Sequence, residues 1–396
     1  MPGPLAGIRI VDVSAILSGP LATMMLADQG ADVIKVEAPG IGDLMRFGPF
    51  RRGNLSAFFA NANRGKRSLV VDLGKPRARE IVKDLVRRAD VFVQNWRPGA
   101  AERLGLGPDD LRAVKPDLIY VSISGYGDSG PYRDRRVYDP IIQGLTGHVA
   151  VQRNPEFPVP DLVRNVVADK ASAYTVAQAI TAALFARERG AGGQHVRVPM
   201  IDASLAFFWP DGMMAHTMIG EGVQTGPTLY EIYRLQPTAD GHLIYFAASD
   251  AEMHGLFRAL GHPEWCGDPR FGPIEGRRLP ENFQALGGLL DEAFRSWKTR
   301  ELLGRLVAEQ VAAGAVLSLE EVIADPQVRH NGAIFERDHP AAGRMREPRP
   351  AARFERTPAE PGRPAPLHGE HNDEILSELG ISEAERAALR AEGVIP

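Results

Sequence analysis

The first forty residues constrain this chain most. An apolar strand, Gly7-Ile8-Arg9-Ile10-Val11-Asp12-Val13, runs into the turn Ser14-Ala15-Ile16-Leu17-Ser18-Gly19-Pro20. A helix over 21–28 follows, stops near Gly30, and leads to a second strand, Asp32-Val33-Ile34-Lys35-Val36-Glu37. This is the opening unit of a nucleotide-binding fold. A dinucleotide site needs G-x-G-x-x-G at that turn, so that the backbone can close on a pyrophosphate. The turn holds one glycine, Gly19. A ligand at this position is therefore held by other means.

Strand and helix patterns keep alternating to about residue 125. Strands are predicted at 68–72, 90–94 and 117–123, and a helix at 76–88 that starts on a proline and carries Ile81, Leu85 and Val86 on one face. Uniformly apolar strands separated by helices predict a Rossmann-like parallel sheet covered on both faces, with ligands beyond the carboxyl ends of the strands. A long helix is expected over 171–189, a strand over 195–198, and a helix over 199–219 so apolar that it must be buried in the core or in a partner subunit. The pattern changes after Gly220. A hairpin around Asp240-Gly241 and helices to about 312 predict a smaller α+β domain. The segment 340–366, rich in Pro, Arg and Ala, is expected to lie over a surface, and a helix over 374–390 closes the chain. The fold class is α/β. Residues 1–220 form the first part of a large domain, 221–320 a small domain with linkers, and 321–396 return to the large domain.

Composition narrows the function. A net charge of −4 gives no basic field for nucleic acid or a membrane surface. No apolar run is long enough to span a bilayer. One cysteine, Cys266, excludes an internal disulfide and fits a cytoplasmic protein, as does the lack of a signal pattern at the N-terminus. Neither a P-loop nor a G-x-S-x-G elbow occurs. His368-Gly369-Glu370-His371 lacks metal-site spacing, so no metal is expected.

Two aspartates stand out. Asp169 lies where a short apolar segment meets the long helix. There it serves either as an N-cap, the commoner use, or as a carboxylate nucleophile, with small residues after it leaving room for substrate. Asp139, in Tyr138-Asp139-Pro140, reads as the cap of a helix that begins on Pro140. Lys66, Arg67, Lys75, Arg97, Arg103 and Arg136 fall near strand ends. They are either solvated surface charge or, converging on one crevice, a site for a phosphorylated ligand.

Many ordered segments together resemble the family III coenzyme A transferases, which include formyl-CoA transferase, carnitine CoA-transferase and α-methylacyl-CoA racemase. The carriers are Pro4-Leu5-Ala6-Gly7-Ile8-Arg9-Ile10, Ser18-Gly19-Pro20, the run from Leu26 to Glu37, Gly42-Asp43, Asn63-Arg64-Gly65-Lys66-Arg67-Ser68, Asn95-Trp96-Arg97-Pro98-Gly99, Ser124-Gly125-Tyr126-Gly127, Tyr138-Asp139-Pro140 and Gly369-Glu370-His371-Asn372-Asp373. The resemblance implies two ring-like chains threaded through each other as an intertwined homodimer. It implies Asp169 as the nucleophile, and CoA along the strand ends at Leu17, Ser18, Val71, Asp72, Asn95, Trp96, Arg97, Arg103, Arg136, Val137, Tyr138 and Asp139. The substrates would be an acyl-CoA and a carboxylic acid, with no cofactor beyond CoA itself. Transfer would pass through an aspartyl anhydride and an aspartyl-CoA thioester.

Departures from the pattern carry information. Leu17 and Ala38 replace the Gln and Arg of formyl-CoA transferase, and its glycine-rich loop has no counterpart between Gly222 and Gly241, which argues against oxalate as acceptor. Tyr138 stands where the racemases have a His, removing one of the two acid/base groups a 1,1-proton transfer needs. A racemase or epimerase, and a CoA-binding paralogue without activity, are the alternatives. The acceptor pocket is expected around 207–218 and 230–234, for an acid larger or more apolar than oxalate.

Overall fold

The computed structural model describes residues 3–152 and 160–396. The opening unit is formed as expected: β1 (Arg9–Asp12), α1 (Ser18–Asp28) and β2 (Asp32–Glu37). Then come β3 (Lys66–Val70), α2 (Pro76–Arg87), β4 (Val91–Gln94), β5 (Ile119–Ser124), α3 (Asp139–Leu145), α4 (Val167–Ala186), β6 (His195–Pro199) and α5 (Met200–Gly212). The six strands pair in parallel in the order β3-β2-β1-β4-β5-β6. This is a doubly wound sheet whose strand order reverses between β1 and β4, and the crevice beyond that reversal is where such sheets bind ligands.

The chain divides into two compact units, one of residues 1–217 with 332–396 and one of 218–331. In the first, alternate side chains of each strand enter separate cores, as the two-residue strand period requires. Val11, Ile34 and Leu69 pack against Ile81, Leu85 and Val86 of α2, together with Ile375, Leu376 and Leu389 from the end of the chain. Ile10, Val33, Val93 and Val121 pack on the other face against Leu26 of α1 and Val176 and Ile180 of α4. The second unit holds β7 (Gln236–Pro237), β8 (His242–Phe246), α6 (Asp250–Leu260), α7 (Pro280–Arg295), α8 (Thr299–Ala308) and β9 (Ala312–Ala315). Its sheet is antiparallel, with the hairpin turning at Asp240-Gly241 as predicted. Leu243, Phe257, Leu290 and Phe294 form its core.

The segment after 331 returns to the first unit. It opens with a hairpin, β10 (Ile334–His339) against β11 (Gly343–Pro348), whose second strand falls in the 340–366 stretch expected as a surface wrap. It then seals the free edge of β3. Asn372 accepts the Val70 N–H at 2.8 Å, His371 Nδ1 accepts the Ser68 N–H at 3.2 Å, and the His371 N–H reaches Ser68 O. The His368–His371 motif is thus an edge cover, which blunts an otherwise unpaired strand. Helices α9 (Asn372–Glu378) and α10 (Glu383–Ala391) complete the layer beside α2.

The apolar helix expected over 199–219 ends at Gly212 after Pro210, and within the chain it is not fully buried: Phe207 is 60% exposed. Two of the basic residues placed near strand ends lie elsewhere. Lys66 is wholly buried beneath the first turn, and Arg67 pairs with Asp32, Glu374 and Glu378.

Candidate active site

The turn after β1 is built on buried charge rather than on glycines. Asp12, fully buried, accepts the Ser14 N–H at 2.9 Å, the Ser14 and Thr23 hydroxyls, and Lys66 Nζ at 2.9 Å. Burial alone would raise the Asp12 pKa, but Lys66, Lys35 and the two hydroxyls outweigh it and bring it down to about 2. Lys35 donates to Ser14 O at 2.9 Å and pairs with Asp43 at 2.9 Å. Asp43 Oδ1 accepts the Ile16 N–H at 3.2 Å, while the Asn95 amide grips Ala15 through both its N–H (2.9 Å) and its C=O (2.7 Å). Between these clamps Ile16 has φ of 70°, a costly conformation for a β-branched residue that persists only where its surroundings enforce it. Gly19 is required here: a Cβ would stand 2.2 Å from Ser14 Oγ. Gly19→Ala is accordingly expected to displace Ser14 and raise KM for acyl-CoA by about tenfold or more, read by steady-state kinetics on folded protein.

Beyond this turn lies a cavity of about 850 Å³. The turn after β1 contributes Ala15 and Ile16, the start of α1 contributes Ser18, and the segment after β4 contributes Asn95, Trp96 and Arg97. Arg103 follows from the next short helix, Ser124 and Gly125 from the end of β5, the segment 133–138 from the connection to α3, and Asp169 from α4. Five arginines line it (Arg97, Arg103, Arg133, Arg135 and Arg136) against two carboxylates, Asp134 and Asp169. Arg97, Arg103, Arg133 and Arg136 make no ion pair among the described residues, unlike Arg46 and Arg64, which are held by Glu37 and Asp28. Unpaired guanidinium groups converging on one crevice suit an anionic ligand with several phosphates. Trp96 is fixed from below, its N–H donating at 2.7 Å to Gln94, which reaches His195 through Ser122.

Asp169 is the third residue of α4, not its cap. Its own N–H is taken by Asp139 Oδ1 at 2.9 Å, from a helix thirty residues earlier. Asp139, expected to cap α3, is instead its first helical residue and turns its buried carboxylate toward α4. Asp169 is 8% exposed. Burial, then the neighbouring charge of Asp139, push its pKa up to about 7. A buried carboxyl on the wall of an arginine-lined cavity, with a pKa near neutrality, has the chemistry of a nucleophile or base.

A sequence model of CoA-transferase family III matches residues 5–372. The chain belongs to that family. The succinyl-CoA:glutarate CoA-transferase of Mus musculus is 34% identical over 99% of this chain and 90% of its own. The succinate–glutarate CoA-transferase of Agrobacterium fabrum is 35% identical over 95% of this chain and 96% of its own. A solved CaiB/BaiF family protein from Brucella suis superposes with a TM-score of 0.82 at 32% identity, covering 96% of this chain and 100% of that one. As a family III CoA-transferase, the protein moves CoA between an acyl-CoA and a carboxylic acid.

The cavity brings together nine of the thirteen positions expected for this family III enzyme: Ser18, Asn95, Trp96, Arg97, Arg103, Arg136, Val137, Tyr138 and Asp169. Four lie off its wall. Leu17 sits in a core with Phe59 and Met45. Val71 is wholly buried beside α2, and Asp72 is engaged with Gly74 and the chain end at Val394. Asp139 stands behind Asp169. Arg133 and Arg135 escaped the sequence reading, although Arg133-Asp134-Arg135-Arg136, in the connection between β5 and α3, was a visible signal.

Proposed function

We propose that CoA transfer runs through Asp169, and that the CoA moiety lies in the 850 Å³ cavity against Arg97, Arg103 and Arg136. The observation that carries this reading is a buried carboxyl raised to about 7 on the same wall as unpaired arginines. The deprotonated carboxylate attacks the acyl-CoA thioester carbonyl. The C–S bond breaks, CoA thiolate leaves, and a mixed anhydride with the donor acid remains. The thiolate attacks the aspartyl carbonyl, the anhydride C–O bond breaks, the donor carboxylate leaves, and Asp169 becomes a CoA thioester. An acceptor carboxylate attacks that thioester, and the same steps run in reverse. Each step exchanges one activated acyl group for another, so no external energy source is consumed. A carboxylate with a raised pKa is a stronger nucleophile than an ordinary one, and burial strips it of competing water.

Because similar chains are named for succinyl-CoA and glutarate, the substrates read best as dicarboxylic acids and their CoA esters. A cavity with five arginines supports an acyl group that carries a second carboxylate. The test is a panel: succinyl-CoA and acetyl-CoA as donors, with oxalate, glutarate and longer mono- and dicarboxylic acids as acceptors. Glutarate-class acids should lead. Preference for monocarboxylic acids would overturn this choice, and solvent deuterium entering the α-position without transfer would support racemisation instead. Arg97→Ala, Arg103→Ala and Arg136→Ala should each raise KM for acyl-CoA by about 10- to 100-fold with smaller effects on kcat, the loss of one charge-assisted contact. The protein is further proposed to act in the cytoplasm as an intertwined homodimer of large and small domains. The exposed Phe50, Tyr174, Phe185 and Phe207 support a partner chain, and light scattering at twice the chain mass tests it.

A further inference from the structure

Asp139 has no place in the transfer chemistry itself, yet its surroundings are built with care. Its carboxylate is 4% exposed. Oδ1 accepts the Asp169 N–H at 2.9 Å and Oδ2 accepts Gln143 Nε2 at 2.6 Å. Gln143 in turn accepts the Val163 N–H at 3.0 Å and reaches Val163 O and Asn165 O at 3.3 and 3.4 Å. Two anchors thus sew the start of α3 to the lead-in and first turn of α4. The first-turn N–H groups of a helix lack intrahelical partners, and no side chain of the adjoining residue caps α4. A carboxylate arriving from another helix fills that gap within one peptide of the proposed nucleophile.

We propose that Asp139 is the positioning residue of this site, its buried carboxylate fixing the first turn of α4 so that the Asp169 carboxyl faces the cavity. The inference rests on the proposed role of Asp169. A displacement of about 1 Å at a reacting group costs on the order of 100-fold in rate, so the anchor matters for kcat more than for binding. Its charge matters too. The elements around Asp169 bring few other ionisable groups close. α1 offers Ser18 and α5 offers Met200 to the cavity; the segment 133–138 offers Arg133, Asp134, Arg135, Arg136 and Tyr138, and the end of β4 offers Arg97. Lys170 donates to Asn165 Oδ1, and His148, whose pKa burial lowers against the opposing charge of Asp139, bonds to Ser204. After burial, the charge that raises Asp169 is that of Asp139.

The experiment compares the full-length wild type with Asp139→Ala, Asp139→Asn and Asp169→Asn. It measures kcat and KM for succinyl-CoA across pH, and CoA binding by calorimetry. Asp139→Ala should lose about 100-fold or more in kcat while CoA affinity stays within about threefold. Asp139→Asn keeps an acceptor for the Asp169 N–H, loses the bond from Gln143 Nε2 and removes the charge. It should retain more of the rate than Asp139→Ala and move the acidic limb of kcat/KM down by about one pH unit, because that limb reports the essential base of the free enzyme. A wild-type limb in Asp139→Asn, or a wild-type kcat in Asp139→Ala, overturns the proposal. Should Asp139→Ala fail to fold, the Asn variant alone decides. Asp169→Asn separates the two readings. If it still transfers CoA, the role of Asp169 itself is wrong. If it is inert while the Asp139 variants behave as wild type, only the positioning role falls.

Discussion

Asp169→Ala is expected to abolish CoA transfer, by about three orders of magnitude or more, while CoA still binds. The magnitude follows from losing a covalent route altogether, which costs far more than losing one contact. Retention of binding follows from geometry, because the arginines of the cavity come from the end of β4, the short helix after it and the connection between β5 and α3, and not from α4. The same site predicts a gain in stability. In the folded chain Asp169 titrates near 7, against an ordinary value of 3.8. Between those values the native state binds more protons than the unfolded one, so stability falls as pH rises through that window and stays lower above it. Removing the ionisable group lifts this cost. Asp169→Asn should therefore be more stable than wild type at pH 8, by on the order of 2 kcal/mol, and show little difference near pH 4. Urea unfolding at both pH values reads this directly. An Asn variant that gains nothing at pH 8 would mean that the carboxyl is not held against its ionisation.

Lys66→Met is expected to cost about 3–5 kcal/mol, the penalty for leaving a buried charge without its partner. All three of its donors are used: Asp12 at 2.9 Å, Pro20 O at 2.8 Å and Asn63 Oδ1 at 2.8 Å. The group left behind, Asp12, is fully buried and holds the turn that begins the cavity. The double variant Asp12→Asn/Lys66→Met should recover part of the loss, since no unpaired charge remains. Urea midpoints for the two single variants and the double give the coupling. A loss under about 1 kcal/mol in Lys66→Met would show that the pair bears little of the fold. In wild type the Asp12 contribution, from a carboxylate lowered to about 2, is present above pH 4 and disappears as pH falls toward 2.

The sheet was legible because most of its strands are short, largely apolar runs bounded by a helix or a turn, and parallel sheets need little else. Its edges were not. The reading began β3 at Ser68 because Lys66 and Arg67 look like surface, and only three-dimensional pairing reveals Lys66 as an interior residue. In the site, Asp169 is visible as an aspartate ahead of a small-residue helix, and the preference for nucleophile over cap comes from the resemblance. What no local pattern encodes is Asp139, which accepts the Asp169 N–H from thirty residues away. Leu17, Val71 and Asp72 were carried in by resemblance alone. Sequence order cannot tell a residue at a strand end that faces the crevice from one that faces the core.

In the proposed transfer CoA passes through Asp169. The direct measurement is mass spectrometry of the protein after brief reaction with succinyl-CoA, quenched with hydroxylamine and digested. Attack of hydroxylamine on an activated aspartyl carbonyl yields a hydroxamate, so the peptide carrying Asp169 should gain that mass only when acyl-CoA is present. Turnover at full rate with no modification of Asp169 would mean that CoA does not pass through this residue.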